Sequence, residues 1–247
     1  MPDSLGYRMK FGVIAPSTNT SVQPEFDAMA PPGITNHMSR IHVPDNPINN
    51  DDDFNKLVEE IAEAQDAAIE RLMTCHPGHI VMGISAETFW DGLEASKVLK
   101  KHIEKISGVG VTMGSESSQA ALNVYGAKKI AVVTPYQPVG DKNVVRFFEE
   151  CGFDVVRIKG LKAKSPVKIA HFSEDELRDA ILEVNGDDVD AIIQAGTNLA
   201  MARLAATAEH WLKKPVIAIN TATYWHALRT CGFDDKVQGF GTLLTDH

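Results

Sequence analysis

Ile192–Thr197 reads IIQAGT, and Ile80–Ser85 in the other half of the chain reads IVMGIS. Each is an apolar run that breaks into small and hydroxyl-bearing residues, the pattern of a buried strand emptying into a loop. The match extends outward from both segments. VIAPS at Val13–Ser17 is answered by VVTPY at Val132–Tyr136, which sets Pro16 against Pro135, and Val111–Leu122 is answered by Ile217–Leu228. Matching segments in the same order mark a diverged internal duplication. Short β-branched runs alternate with helical patterns throughout, the signature of βαβ units. The expected fold is α/β, with two pseudo-symmetric lobes, each a mainly parallel sheet flanked by helices. Ligands of open parallel sheets bind beyond the carboxyl ends of the strands, so the active site is expected in the cleft between the lobes.

The reading places strands at Lys10–Ala15, His79–Met82, Gly110–Met113, Lys129–Thr134, Asp154–Ile158, Ala191–Gln194 and Val216–Ile219. Helices are expected to start near Val22 and to cover Asp53–Thr74, Gly92–Ile106, Ser115–Tyr125, Val139–Cys151, Glu174–Val184, Leu199–Leu212 and Thr221–Cys231. In the Asp53–Thr74 helix, Leu57, Ile61, Ala64, Ala68 and Leu72 recur at helical spacing behind the acidic Asp51, Asp52 and Asp53, which suit a helix N-terminus. Residues 1–125 plus 221–247 are assigned to the first lobe and 126–220 to the second. No Pro- or Gly-rich linker separates them near Tyr125–Lys128, so the lobes are expected to be tightly coupled.

Composition narrows the function. The 247 residues are 44% hydrophobic and 23% charged, as in an ordinary globular protein, and the net charge of -9 leaves no basic footprint for nucleic acid. No apolar run reaches the roughly 20 residues of a membrane span, and Met1–Lys10 lacks the apolar core of a secretory leader. A cytoplasmic protein that contacts no membrane is expected. Cys75, Cys151 and Cys231 lie far apart, suggesting reduced thiols rather than a disulfide framework or zinc cluster. No constellation has metal-ligand spacing, and neither metal nor cofactor is expected.

The strand-end loops carry the candidate chemistry. Pro16–Ser21 concentrates hydroxyl and amide groups, among them Ser17 and Asn19, where an anion could meet side-chain donors and backbone N–H groups; helix capping is the structural alternative. In Gly83–Thr88, Gly83 permits close backbone approach and Ser85 can donate to a carboxylate. Glu87 is a candidate proton-transfer group if a closed cleft raises its pKa, or else a partner of a helix dipole. Pro135–Pro138 presents the phenol of Tyr136. Ala195–Asn198 offers Ala195, the Gly196 N–H, Thr197 and Asn198 as an anion nest. His226, on a helix opened by Thr221, faces either cleft or surface. His76 and His79 precede their strand, away from the strand ends. The glycines of Gly108–Gly114 lack dinucleotide-loop spacing, and CGFD at Cys151–Asp154 and Cys231–Asp234 reads as a pair of left-handed helix caps.

Taken together, APSTNT at Ala15–Thr20, MGIS at Met82–Ser85, TPY at Thr134–Tyr136 and the Ala195-Gly196 pair resemble the maleate isomerase and arylmalonate decarboxylase branch of the aspartate/glutamate-racemase superfamily. The resemblance covers nearly the whole chain in order. It implies a cofactor-independent lyase or isomerase acting on a small carboxylate through an enediolate-like intermediate, and allows a homo-oligomer. It further implies that Asn19 holds the substrate carboxylate and that Ser85, Tyr136 and the Gly196 N–H stabilise the intermediate. The sequence departs from the family's pattern at three positions. The positions that carry the family's cysteines correspond to Gly83 and Ala195; the decarboxylase branch also has glycine at the first but keeps the second cysteine. Ile84 stands where the decarboxylase has a hydroxyl residue.

Without the thiols, another group must move the proton, with Glu87 first, then His226, and Tyr136 as a donor. Two other readings stand beside this one: hydrolysis of a carbonyl compound by water activated at Glu87, and a carboxylate-binding protein that has lost catalysis.

Overall fold

The structure, a computed structural model, describes residues 3–247. Strands β1 (Met9–Pro16), β2 (Ile34–Ile41), β3 (His79–Met82) and β4 (Gly110–Thr112) form a parallel sheet in the order β2-β1-β3-β4. Strands β5 (Lys129–Thr134), β6 (Asp154–Gly160), β7 (Ala191–Gln194) and β8 (Val216–Ala218) form a second with the order β6-β5-β7-β8. The two orders superpose when each strand is matched to its counterpart in the other half. Val13 pairs with Val81 in one sheet and Val132 with Ile193 in the other. Central parallel strands are covered on both faces and read as unbroken apolar runs; all four residues of β3 and of β7 are buried.

Helices follow in equivalent places. The first half carries α1 (Val22–Met29), α2 (Asp51–Met73), the single turn α3 (Ala86–Phe89), α4 (Gly92–Ser107) and α5 (Gly114–Val124). The second carries α6 (Pro138–Glu150), α7 (Glu174–Val184), α8 (Ala202–Leu212), α9 (Ile219–Thr230) and the terminal α10 (Thr242–Asp246). A 3-10 turn at Val167–His171 precedes α7. The side chain of Asn50 caps α2 by accepting from the Asp53 N–H. The equivalent helices α5 and α9 pack against each other, and α9 also touches α1, β3 and β4. Their approach depends on Gly114, where a Cβ would come within 2.7 Å of Ile219 Cδ1. Among the described residues no helix is long and apolar enough to cross a membrane.

Several elements differ from the sequence reading. β2 was not expected, because ITNHMSRI at an exposed sheet edge has no unbroken apolar run. The helix expected from Leu199 begins at Ala202, since the preceding residues form a turn at the cleft. The 3-10 turn and α10 are additional. Gly152 and Gly232 adopt φ of +89° and +79° directly after α6 and α9, which is the capping geometry read from the CGFD repeats.

Candidate active site

Each strand-end loop is shaped by bonds its neighbours make. After β1, the Ser17 N–H donates to Ile41 O (2.7 Å), and its hydroxyl both donates to Val43 O (3.1 Å) and accepts from the Val43 N–H (2.9 Å). Ser17 thus ties β1 to the segment after β2 and does not line the cleft, which corrects its assignment as a ligand. Asn19 does line it. Its Oδ1 accepts from the Ser21 and Val22 N–H groups at the start of α1, and its Nδ2 donates across the lobe boundary to Thr197 Oγ1 at 3.2 Å.

After β3, Gly83 donates its N–H to Ile14 O (2.7 Å) and accepts at its carbonyl from the Thr197 hydroxyl (3.1 Å). It faces the core rather than the cleft; a Cβ there would meet Val22 Cγ1 at 2.7 Å. Ser85 is 3% exposed and stands at the centre of the site. Its Oγ accepts from the Thr197 N–H (3.1 Å) and lies 2.7 Å from the Tyr136 hydroxyl. The Tyr136 ring packs on Phe54 with centroids 5.3 Å apart. Burial pushes the Tyr136 pKa upward despite the Ser85 hydrogen bond, so the phenol stays protonated and can donate.

After β7, Gly196 has φ of +114°, and a Cβ would run into the Pro135 ring; only glycine allows this turn. The turn presents Gly196, Thr197 and Asn198 to the cleft. Thr197 spends its hydroxyl on Gly83 and Asn19, so it locks the halves together. Asn198 is likewise committed: Oδ1 accepts from the Thr20 N–H (2.9 Å), while Nδ2 donates to Thr18 O (3.3 Å) and Pro166 O (3.1 Å). Ala195 is fully buried and does not line the cleft.

Together these loops surround a narrow cleft that is open to solvent. One side is polar, built from Asn19, Ser85, Tyr136 and the Gly196 turn. The rest of the lining is apolar, with Phe54, Leu57 and Ile61 from α2, Ile84, and a roof of Val43, Pro166 and Ile169. The roof comes from both halves and is held where Ile48 N–H donates to Lys164 O (2.7 Å) and Val167 N–H to Asp45 Oδ1 (3.0 Å). Among the described residues no Lys, Arg, His or Cys belongs to the lining, and Tyr136 is its one titratable side chain. Among the described residues no cluster of His, Cys, Asp or Glu could hold a metal.

Two proposed proton carriers lie elsewhere. Ala86 lines the cleft, but Glu87, one step round α3, is buried with neither carboxylate oxygen hydrogen-bonded. Burial, with a smaller push from Asp66, raises its pKa to about 8. His226 sits against Ser117 (Nδ1 to Oγ, 3.1 Å) and is stacked on Trp225. Neither lines the cleft, so the roles assigned to them as base, and the hydrolytic reading with Glu87, have no support from its lining. The roof residues and Phe54 were missed by sequence reasoning: their spacing says only that they are buried, and the contacts that bring them together are long-range.

Residues 11–244 match the arylmalonate decarboxylase family. The chain belongs to the arylmalonate decarboxylase family. This places it among the isomerases and lyases of the aspartate/glutamate-racemase superfamily. Curated relatives include maleate isomerases from Alcaligenes faecalis, 24% identical over 253 residues with 96% of each chain covered, and from Nocardia farcinica, 26% identical over 249 residues with 95% covered. Among solved structures, a Nocardia farcinica maleate cis-trans isomerase variant with a covalently bound succinylcysteine intermediate aligns at TM-score 0.89 and 19% identity, covering 97% of this chain and 99% of that one. Arylmalonate decarboxylase aligns at TM-score 0.76 and 18% identity, covering 95% and 98%. These structures share the fold of this arylmalonate decarboxylase family member.

Proposed function

We propose that this family member decarboxylates a malonate-type acid bearing an apolar substituent, and that the Ser85–Tyr136 hydroxyl pair protonates the product carbon. The observation that carries the reading is this pair, 2.7 Å apart, in a cleft lined, among the described residues, by no thiol and no other titratable group. The isomerase relative that carries a succinylcysteine reacts through a cysteine; a cleft without one favours a reaction that needs no nucleophile. Decarboxylation meets that condition. The bond between the α-carbon and one carboxylate breaks, its electrons remain on the α-carbon and delocalise into the other carboxylate, and carbon dioxide leaves. The Tyr136 O–H then supplies the proton for the new C–H bond, and solvent restores the phenol.

The two sides of the cleft divide the labour. The retained carboxylate takes the polar side, where Ser85, Tyr136 and the Gly196 N–H meet the charge that grows on its oxygens. The departing carboxylate lies against Ile84, Phe54 and Ile61, where it loses hydration with no cation to compensate; neutral carbon dioxide carries no such penalty. No cofactor enters these steps. The test is release of carbon dioxide from a panel of alkyl- and arylmalonates. Tyr136→Phe should lower kcat by about 10²- to 10⁴-fold, the usual size of a lost proton donor, with KM nearly unchanged. Turnover by the variant at the wild-type rate overturns the assignment of Tyr136, and malonate binding without any turnover favours a binding protein.

A further inference from the structure

We propose that Glu25 is a positioning residue that, from the first half of the chain, holds the Gly196–Asn198 turn in register with Ser85 and Tyr136. Glu25 lies in the first turn of α1. Its Oε1 accepts from the Ala202 N–H (2.9 Å), the opening residue of α8. That helix has no side-chain cap of its own from Met201, so a carboxylate from the other half caps it and meets the positive end of its dipole. The second oxygen, Oε2, accepts from Asn220 Nδ2 (2.6 Å), and the same amide donates to Thr197 O (2.9 Å). One carboxylate therefore fixes both ends of the segment that forms one side of the cleft. Thr197 in turn gives its N–H to Ser85 Oγ.

Asn220 supports this role independently. It is 1% exposed, and both groups beside its amino end are acceptors, so its orientation is forced and Oδ1 is left buried without a partner. A buried orphan acceptor is costly, and the two bonds donated by Nδ2 are what the fold gains in exchange. Burial raises the Glu25 pKa overall, and Asn220, the Ala202 and Met201 N–H groups and the Arg203 charge offset only part of that rise.

The inference rests on the cleft being a carboxylate site. Its test measures malonate binding by calorimetry and the melting temperature of the full chain. Wild type should bind malonate; no binding would overturn the carboxylate reading and this proposal with it. In Glu25→Gln an amide NH₂ must face one of two donors, so both melting temperature and affinity should fall, the affinity at least tenfold. Pairing Glu25→Gln with Asn220→Asp restores a donor–acceptor match at position 25, but the new carboxylate cannot donate to Thr197 O. The double variant buries a carboxylate against the Thr197 carbonyl, so its affinity should stay at least tenfold weak whatever its melting temperature. If Glu25→Gln does not fold, Asn220→Ala, which leaves the Ala202 cap intact, should show the same tenfold loss. Affinity within twofold of wild type in either single variant, or in the double one, overturns the proposal.

Discussion

Replacing Glu87 by glutamine should make the protein more stable at neutral pH, although it removes a residue from the middle of the site loop region. Glu87 is buried with both oxygens unpartnered, and its pKa is raised from 4.5 to about 8. The folded chain therefore keeps a proton that the unfolded chain releases. The associated stability is present in full below about pH 4.5, falls by about 1.4 kcal/mol per pH unit above it, and levels off once the folded carboxyl ionises near pH 8. At pH 7 the loss is about 3 kcal/mol, and above pH 8 about 5 kcal/mol. Glutamine has nearly the same shape and does not titrate, so the variant lacks this slope while every other group titrates as before. Urea unfolding followed by circular dichroism at pH 5, 6, 7 and 8 should give curves that nearly coincide at pH 5 and diverge upward, with the variant ahead by about 3 kcal/mol at pH 7. A stability difference that does not change with pH would refute the reasoning, because it would mean that Glu87 has the same pKa folded and unfolded.

Two further substitutions probe the loops. Gly83→Ala should destabilise by about 1–3 kcal/mol, the usual cost of overpacking, because its Cβ would lie 2.7 Å from Val22 Cγ1 and 3.1 Å from Ile14 O; thermal melts check this. Asn198→Ala strips the Thr20 N–H and Pro166 O of their partner and should cost about 2 kcal/mol. It should also loosen the roof, read as faster proteolytic cleavage within residues 161–172.

The duplicated architecture was legible because β3, β5 and β7 are short apolar runs buried on both faces, and such runs differ sharply from the helices between them. The edge strand β2 escaped because its exposed flank admits Asn36, His37 and Arg40, which erases the period-two signal. Asn19, Ser85, Tyr136 and the Gly196 turn, candidates from the sequence, line the cleft because a strand end points its loop there whatever the remaining packing does. Glu87 misled for a geometric reason: it follows the cleft-lining Ala86, but successive residues of a helical turn point about 100° apart. His226 misled likewise, its helix turning that side chain toward α5. Glu25 and Asn220 left no local trace, since their meaning lies in bonds to residues far along the chain.

The central claim is that the Ser85–Tyr136 pair, fixed on one side of the cleft, delivers the proton after decarboxylation. The most direct test is turnover of a disubstituted malonate with two different substituents in heavy water, with the product examined by mass spectrometry and chiral chromatography. A single fixed donor predicts one deuterium at the α-carbon and one enantiomer in large excess, both lost with the activity in Tyr136→Phe. A racemic product, or turnover of maleate to fumarate with no release of carbon dioxide from any malonate, would contradict it.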